Sequence, residues 1–176
     1  AAAAEIPVLT AEQALAASRE RRAAMSTSHL VAMYSSYHGG ILTDPALMAL
    51  PVDDHMANRG HGMCALPTPP HPSPADAKAA TARFDTGSFS NGRFYRLDAH
   101  VERILRNAGR ASIDHPFTKE GLIDTICQTV RSTGLRDGSV RYFLTAGHGG
   151  FSWLPDECIE AGFYCIVIGS PPSRPA

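Results

Sequence analysis

The chain has 176 residues, with 16 Lys and Arg against 17 Asp and Glu and a formal net charge of -1. That length supports a domain with a sizeable core. The charge balance gives no support to a nucleic acid or an anionic membrane held by bulk charge. No apolar run of roughly 18 residues occurs, so no transmembrane helix is expected. Residues 11–24, AEQALAASRERRAA, have helical composition with Thr10 as a cap. LVAMYSSY at 30–37 reads as a strand, Gly39-Gly40 as a turn, and Asp44-Pro45 as a break. The polar segment DDHMANRGHG follows at 53–62 and reads as a loop. Pro67 to Pro74 then holds five prolines in eight residues, too many for a helix turn or a central strand, so residues 64–82 read as an exposed excursion.

Order resumes at Phe84. Asn91-Gly92 marks a hairpin between strand-like halves. Asp98 is placed to cap the next helix, in which Val101, Ile104, Leu105 and Ala108 share a face. Pro116 and Thr118 open a second helix, with Leu122, Ile126 and Val130 facing inward. Asp137-Gly138 turns into SVRYFLTAG, and FYCIVIG is the last strand. Two helices against a mostly antiparallel sheet is the simplest architecture, α+β rather than doubly wound. The four cysteines have no metal-like pairing and fit a reduced compartment. Both termini read as cut.

The bare residues announce no active site. Asp53, Asp54, His55 and His61 are potential metal ligands, but their separation fits no standard zinc arrangement. GHGG at 147–150 lacks a phosphate-loop lysine. Arg103 is either a side chain whose stem covers the core or an inward guanidinium that grips an anion. Arg141 shares a strand face with Phe143 and Thr145, opposite Val140, Tyr142 and Leu144, and the pattern leaves open which face meets solvent or a cleft.

Taken together and in order, LVAMYSSYHGGILTDPALMALPVDDHMANRGHG, FDTGSFSNGRFYRLDAHVERILRNAGRASIDHPF and DGSVRYFLTAG resemble the class IV pyridoxal-phosphate aminotransferases. The likeness is greatest to plant D-amino-acid-transaminase-like members. It implies an α+β small N-terminal domain of the D-amino-acid aminotransferase-like fold at 30–169. A helical extension covers 1–29, a Pro/Ala-rich insertion interrupts the domain at 64–83, and a connector begins at 170–176.

The resemblance further implies pyridoxal 5'-phosphate as cofactor, with Arg103 of the HVER motif on its phosphate. His61, Phe84 and Arg141 would lie around the substrate. The arginine that some D-specific members place before the strand-ending glycine is Ala146 here. Substrates would be an amino acid, D- forms included, and a 2-oxo acid. The full-length parent would be a homodimer, plastid or cytoplasmic and not secreted, with no nucleic acid or membrane partner.

The lysine that carries the cofactor belongs to a C-terminal domain, and neither Lys78 nor Lys119 stands in for it. No catalytic residue is therefore assigned, no metal is expected, and the chain by itself is expected to be inactive. A lyase acting on aminodeoxychorismate, or a non-catalytic shortened isoform, is the alternative. In the family RGHG runs almost directly into the strand bearing FDT. The spacer is then either a retained non-coding segment or a tolerated surface insertion.

Overall fold

A computed structural model describes residues 6–25, 29–63, 85–151 and 157–169. The insertion at 64–83, Phe84 and the connector at 170–176 lie outside the described residues. Helix α1 (Ala11–Ala24) starts in a capping box: Gln13 N–H donates to the Thr10 hydroxyl, and Thr10 N–H donates to the Gln13 side chain. It buries none of its residues. It rests on the 3-10 turn Pro45–Leu47, where Arg19 Nε meets Asp44 Oδ2 at 2.8 Å. Asp44 caps that turn by accepting from Ala46 N–H.

Among the described residues, seven strands form one antiparallel sheet: β1 (Leu30–Ser35), β2 (Gly40–Leu42), β3 (Gly62–Met63), β4 (Asp85–Ser90), β5 (Arg93–Phe94), β6 (Gly138–Gly149) and β7 (Cys158–Gly169). Their order is β2-β1-β7-β6-β4-β5, and β3 also pairs with β6. On β6, Thr145 and Leu144 face Gly62 and Met63, while Tyr142 through Gly138 face Asp85 through Phe89. The β4–β5 hairpin turns on Asn91 and Gly92 at φ 51° and 73°, the left-handed pair that such a turn requires. Asp137 fastens it by accepting from the Ser90 hydroxyl at 2.6 Å and from Asn91 N–H at 3.1 Å.

The short helix α2 (His55–Arg59) leads into β3, and two longer helices, α3 (Leu97–Arg110) and α4 (Lys119–Arg131), follow the β4–β5 hairpin. On α3, Leu97, Val101, Ile104 and Ala108 are buried; on α4, Leu122, Ile126 and Val130 are. They pack against Val140, Tyr142 and Leu144 of β6 and Phe163, Cys165 and Val167 of β7. The opposite sheet face carries a smaller cluster of Met33, Met48 and Tyr164, with Phe143 and Ile166 against it. Period-two alternation along β6 and β7 divides these two faces.

Two sequence expectations need correction. Asp98 does not cap α3. The helix begins at Leu97 after Arg96, which adopts φ 52° and gives no side-chain cap, and Asp98 sits in the first turn. There its charge favours the positive end of the helix dipole. The segment after Asp53 is not a free loop: Asp54 caps α2, and Gly60 ends it in the left-handed region at φ 68°.

Candidate cofactor and substrate site

Asp54 is completely buried. Its Oδ1 accepts from Met56 N–H at 2.8 Å, and its Oδ2 accepts from the hydroxyls of Thr145 and Tyr164, both at 2.9 Å. Three donors thus offset the loss of water around the carboxylate. Gly162 leaves room for this knot, since a Cβ there would come within 2.6 Å of Thr145 Oγ1. Burial, followed by the Asp54 charge and hydrogen bond, drives the Tyr164 phenol far above its ordinary range.

His55, also buried, points another way. Its Nε2 is 3.1 Å from the Gly150 carbonyl, and its Nδ1 is 3.0 Å from Cys158 Sγ. A carbonyl can only accept, so Nε2 carries the proton and Nδ1 accepts from the thiol. Burial, then the Asp54 charge, raises the Cys158 thiol, which keeps that donor protonated. His61 Nε2 donates to the Ala111 carbonyl at 3.3 Å, and the His61 carbonyl accepts from Ala146 N–H at 3.1 Å. His61 therefore staples the end of α3 to β6. Asp54, His55 and His61 diverge to separate partners. No cluster of three potential metal ligands occurs among the described residues.

The glycines of GHGG permit close approach of β6 and β7 where their register shifts after Thr145. Gly147 has φ 93°, and a Cβ there would sit 1.5 Å from the Glu160 carbonyl oxygen; one at Gly149 would sit 2.2 Å from that of Glu157.

Arg103 lies on α3 beside the buried stripe and is half-buried. Its Nη2 is 2.9 Å from His100 Nδ1, one helical turn earlier. A guanidinium can only donate, so His100 accepts through Nδ1. Arg106 is exposed. Lys119 is bound to Glu102, and that hydrogen bond raises the Lys119 ammonium above its ordinary value. Arg141 is exposed on β6, facing away from Val140 and Tyr142 as its alternation requires. Arg103 belongs to the helix layer and Arg141 to the other face of the sheet. Among the described site residues read from sequence, His61 links the elements of the other two: it is tied to the residue that ends α3, which carries Arg103, and to Ala146 of β6, which carries Arg141. Phe84 lies outside the described residues. A pocket of about 240 Å³ between α4 and the sheet, lined by Tyr34, Phe117 and Phe163, holds none of them.

The Asp54–Thr145–Tyr164 knot and the His55–Cys158 contact were not read from sequence as site features. The signal available was Thr145 and Tyr164, polar groups next to the apolar Leu144 and Phe163 of the two strands.

Residues 82–176 match the family model for class IV aminotransferases. The chloroplastic D-amino-acid transaminase of Arabidopsis thaliana is 40% identical over 163 residues, which are 93% of this chain and 38% of that protein. The branched-chain aminotransferase of the archaeon Thermoproteus uzoniensis, solved with norvaline, superposes with a TM-score of 0.57 at 21% identity, over 79% of this chain and 40% of that one. The Escherichia coli branched-chain aminotransferase gives 0.61 at 11% identity, over 80% and 40%. These two structural likenesses concern the fold, and they match it as an antiparallel sheet with packed helices. The chain spans about two fifths of the length of these relatives. With more than half of its residues matching the family model, the chain belongs to the class IV aminotransferases.

Proposed function

We propose that this chain supplies the small N-terminal domain of a pyridoxal-phosphate-dependent transaminase. The complete protein would move an amino group between an amino acid and a 2-oxo acid. The name of the Arabidopsis relative supports D-amino acids among the substrates and a plastid location. The observation that carries this reading is Arg103. Its half-buried guanidinium is held by His100 and has the planar donor fork that suits a phosphate. Pyridoxal 5'-phosphate would supply the electron-withdrawing ring that makes a substrate α-proton removable. Arg103 would hold the phosphate, while Phe84 and Arg141 would shape the substrate side. His61 would act from a distance, by fixing α3 against β6. A full-length homodimer is part of the same reading.

On this reading Lys119 is not the base, since it is bound to Glu102 at the start of α4. On the same reading, the lysine that serves as the base would come from a C-terminal domain of the complete protein. The 176-residue chain alone should therefore turn over no amino acid, and kcat above about 1 s⁻¹ would contradict this.

In a chain extended to the relatives' full length, Arg103→Ala should weaken pyridoxal phosphate binding about 30-fold, equivalent to about 2 kcal/mol. Arg103→Lys should recover part of that, since it keeps the charge and loses the fork. Arg106→Ala is the exposed control. Fluorescence titration measures all three, and equal affinity in wild type and Arg103→Ala would return Arg103 to a purely packing role.

A further inference from the structure

We infer that β3 and β4 are two halves of one strand, into which residues 64–83 are inserted without any demand from the fold. The pairing register carries this. Met63 faces Leu144 and Asp85 faces Tyr142, so two steps along β6 correspond to twenty-two along the partner chain. The surplus is twenty residues, and one position of β6, Phe143, lies between the two pairings. Two strand steps span about 7 Å. Met63 and Asp85 therefore meet β6 at points only that far apart.

Three further observations agree. Both pieces run antiparallel to β6, and α3 packs against both. Among the described residues, Met63 and Asp85 pair only with β6, while β5 reaches β4 only at Phe89 and Ser90. Both pairings therefore belong to a single ladder along β6. Finally, face alternation is kept across the break. With 64–83 removed, one residue, Phe84, separates Met63 from Asp85, so each strand half keeps its present register. His61 keeps its bond to Ala111 on one side of the junction, and β4 keeps its pairing on the other.

The test removes residues 64–83 from the 176-residue chain. The variant should fold, melt about 2–5 °C higher because a long closure is relieved, and show cross-strand NMR contacts that put Phe84 opposite Phe143. A second variant, with the excursion lengthened by a ~20-residue Gly/Ser segment, should keep the Met63–Leu144 and Asp85–Tyr142 contacts and melt within about 2 °C of the parent. A deletion variant that fails to fold, melts at or below the parent, or pairs in another register overturns the inference. So does loss of either strand contact in the lengthened chain.

Discussion

At the scale of single residues, the Asp54 knot carries the largest electrostatic stake. Its carboxylate accepts from Met56 N–H, Thr145 and Tyr164. Asp54→Ala would leave two buried hydroxyls without their acceptor and α2 without its cap, at a cost of about 2–4 kcal/mol. Asp54→Asn should cost less, because hydroxyls can rotate to accept from an amide. Urea unfolding of the two variants measures the difference, and equal midpoints would mean that a neutral acceptor restores nothing and that the knot depends on the carboxylate itself. Tyr164 gives the same knot a pH dependence. Its folded-state phenol is raised above the ordinary value of 10.0, chiefly by burial and then by Asp54. The unfolded chain releases that proton near pH 10 while the native chain retains it. The stabilisation is therefore complete below pH 10 and falls as pH rises beyond it. Melting temperatures between about pH 8 and 11 should fall less steeply in Tyr164→Phe than in wild type; parallel curves would exclude Tyr164 as a source of the alkaline loss.

At the scale of elements, the junction of β6 with β7 depends on absent side chains. Gly147→Ala combines a left-handed backbone with a Cβ placed 1.5 Å from the Glu160 carbonyl. It should cost about 3 kcal/mol or more and speed amide exchange first around His148 and Glu160. Uniform exchange would show that the strand pair absorbs the change. Elements with strong local chemistry were legible in the sequence. Thr10 caps α1 as expected, Thr118 opens α4, and Asn91-Gly92 turns its hairpin. What depended on distant partners was not legible. DDHMANRGHG looks like a loop because its order comes from Thr145, Tyr164, Cys158 and Ala111, all remote in sequence. GHGG reads in sequence only as a glycine-rich stretch without a phosphate-loop lysine, and its part in letting two strands touch comes from the fold. For the site, the HVER pattern put Arg103 on a helix beside the core, while His100's hold on its guanidinium emerged only from the folded geometry.

At the scale of the molecule, the sheet separates two environments. One face is closed by α3 and α4 over the main core; the other is covered in part by residues around Met48 and presents Arg141. β6 and β7, the two longest strands, belong to both, which is why Asp54 on one turn can be fixed by a residue from each. Splitting the β3–β4 line has a consequence in time as well as in energy. The N-terminal strand β1 must find β7, and β3 must find β6, across a chain that is twenty residues longer than the register needs. That added search falls on the unfolded ensemble and is met before native contacts repay it. Removing 64–83 should therefore speed refolding roughly 3- to 10-fold and leave the unfolding rate nearly unchanged. Stopped-flow chevrons would separate the two limbs. A change confined to the unfolding limb would place the burden of the excursion in the native state instead.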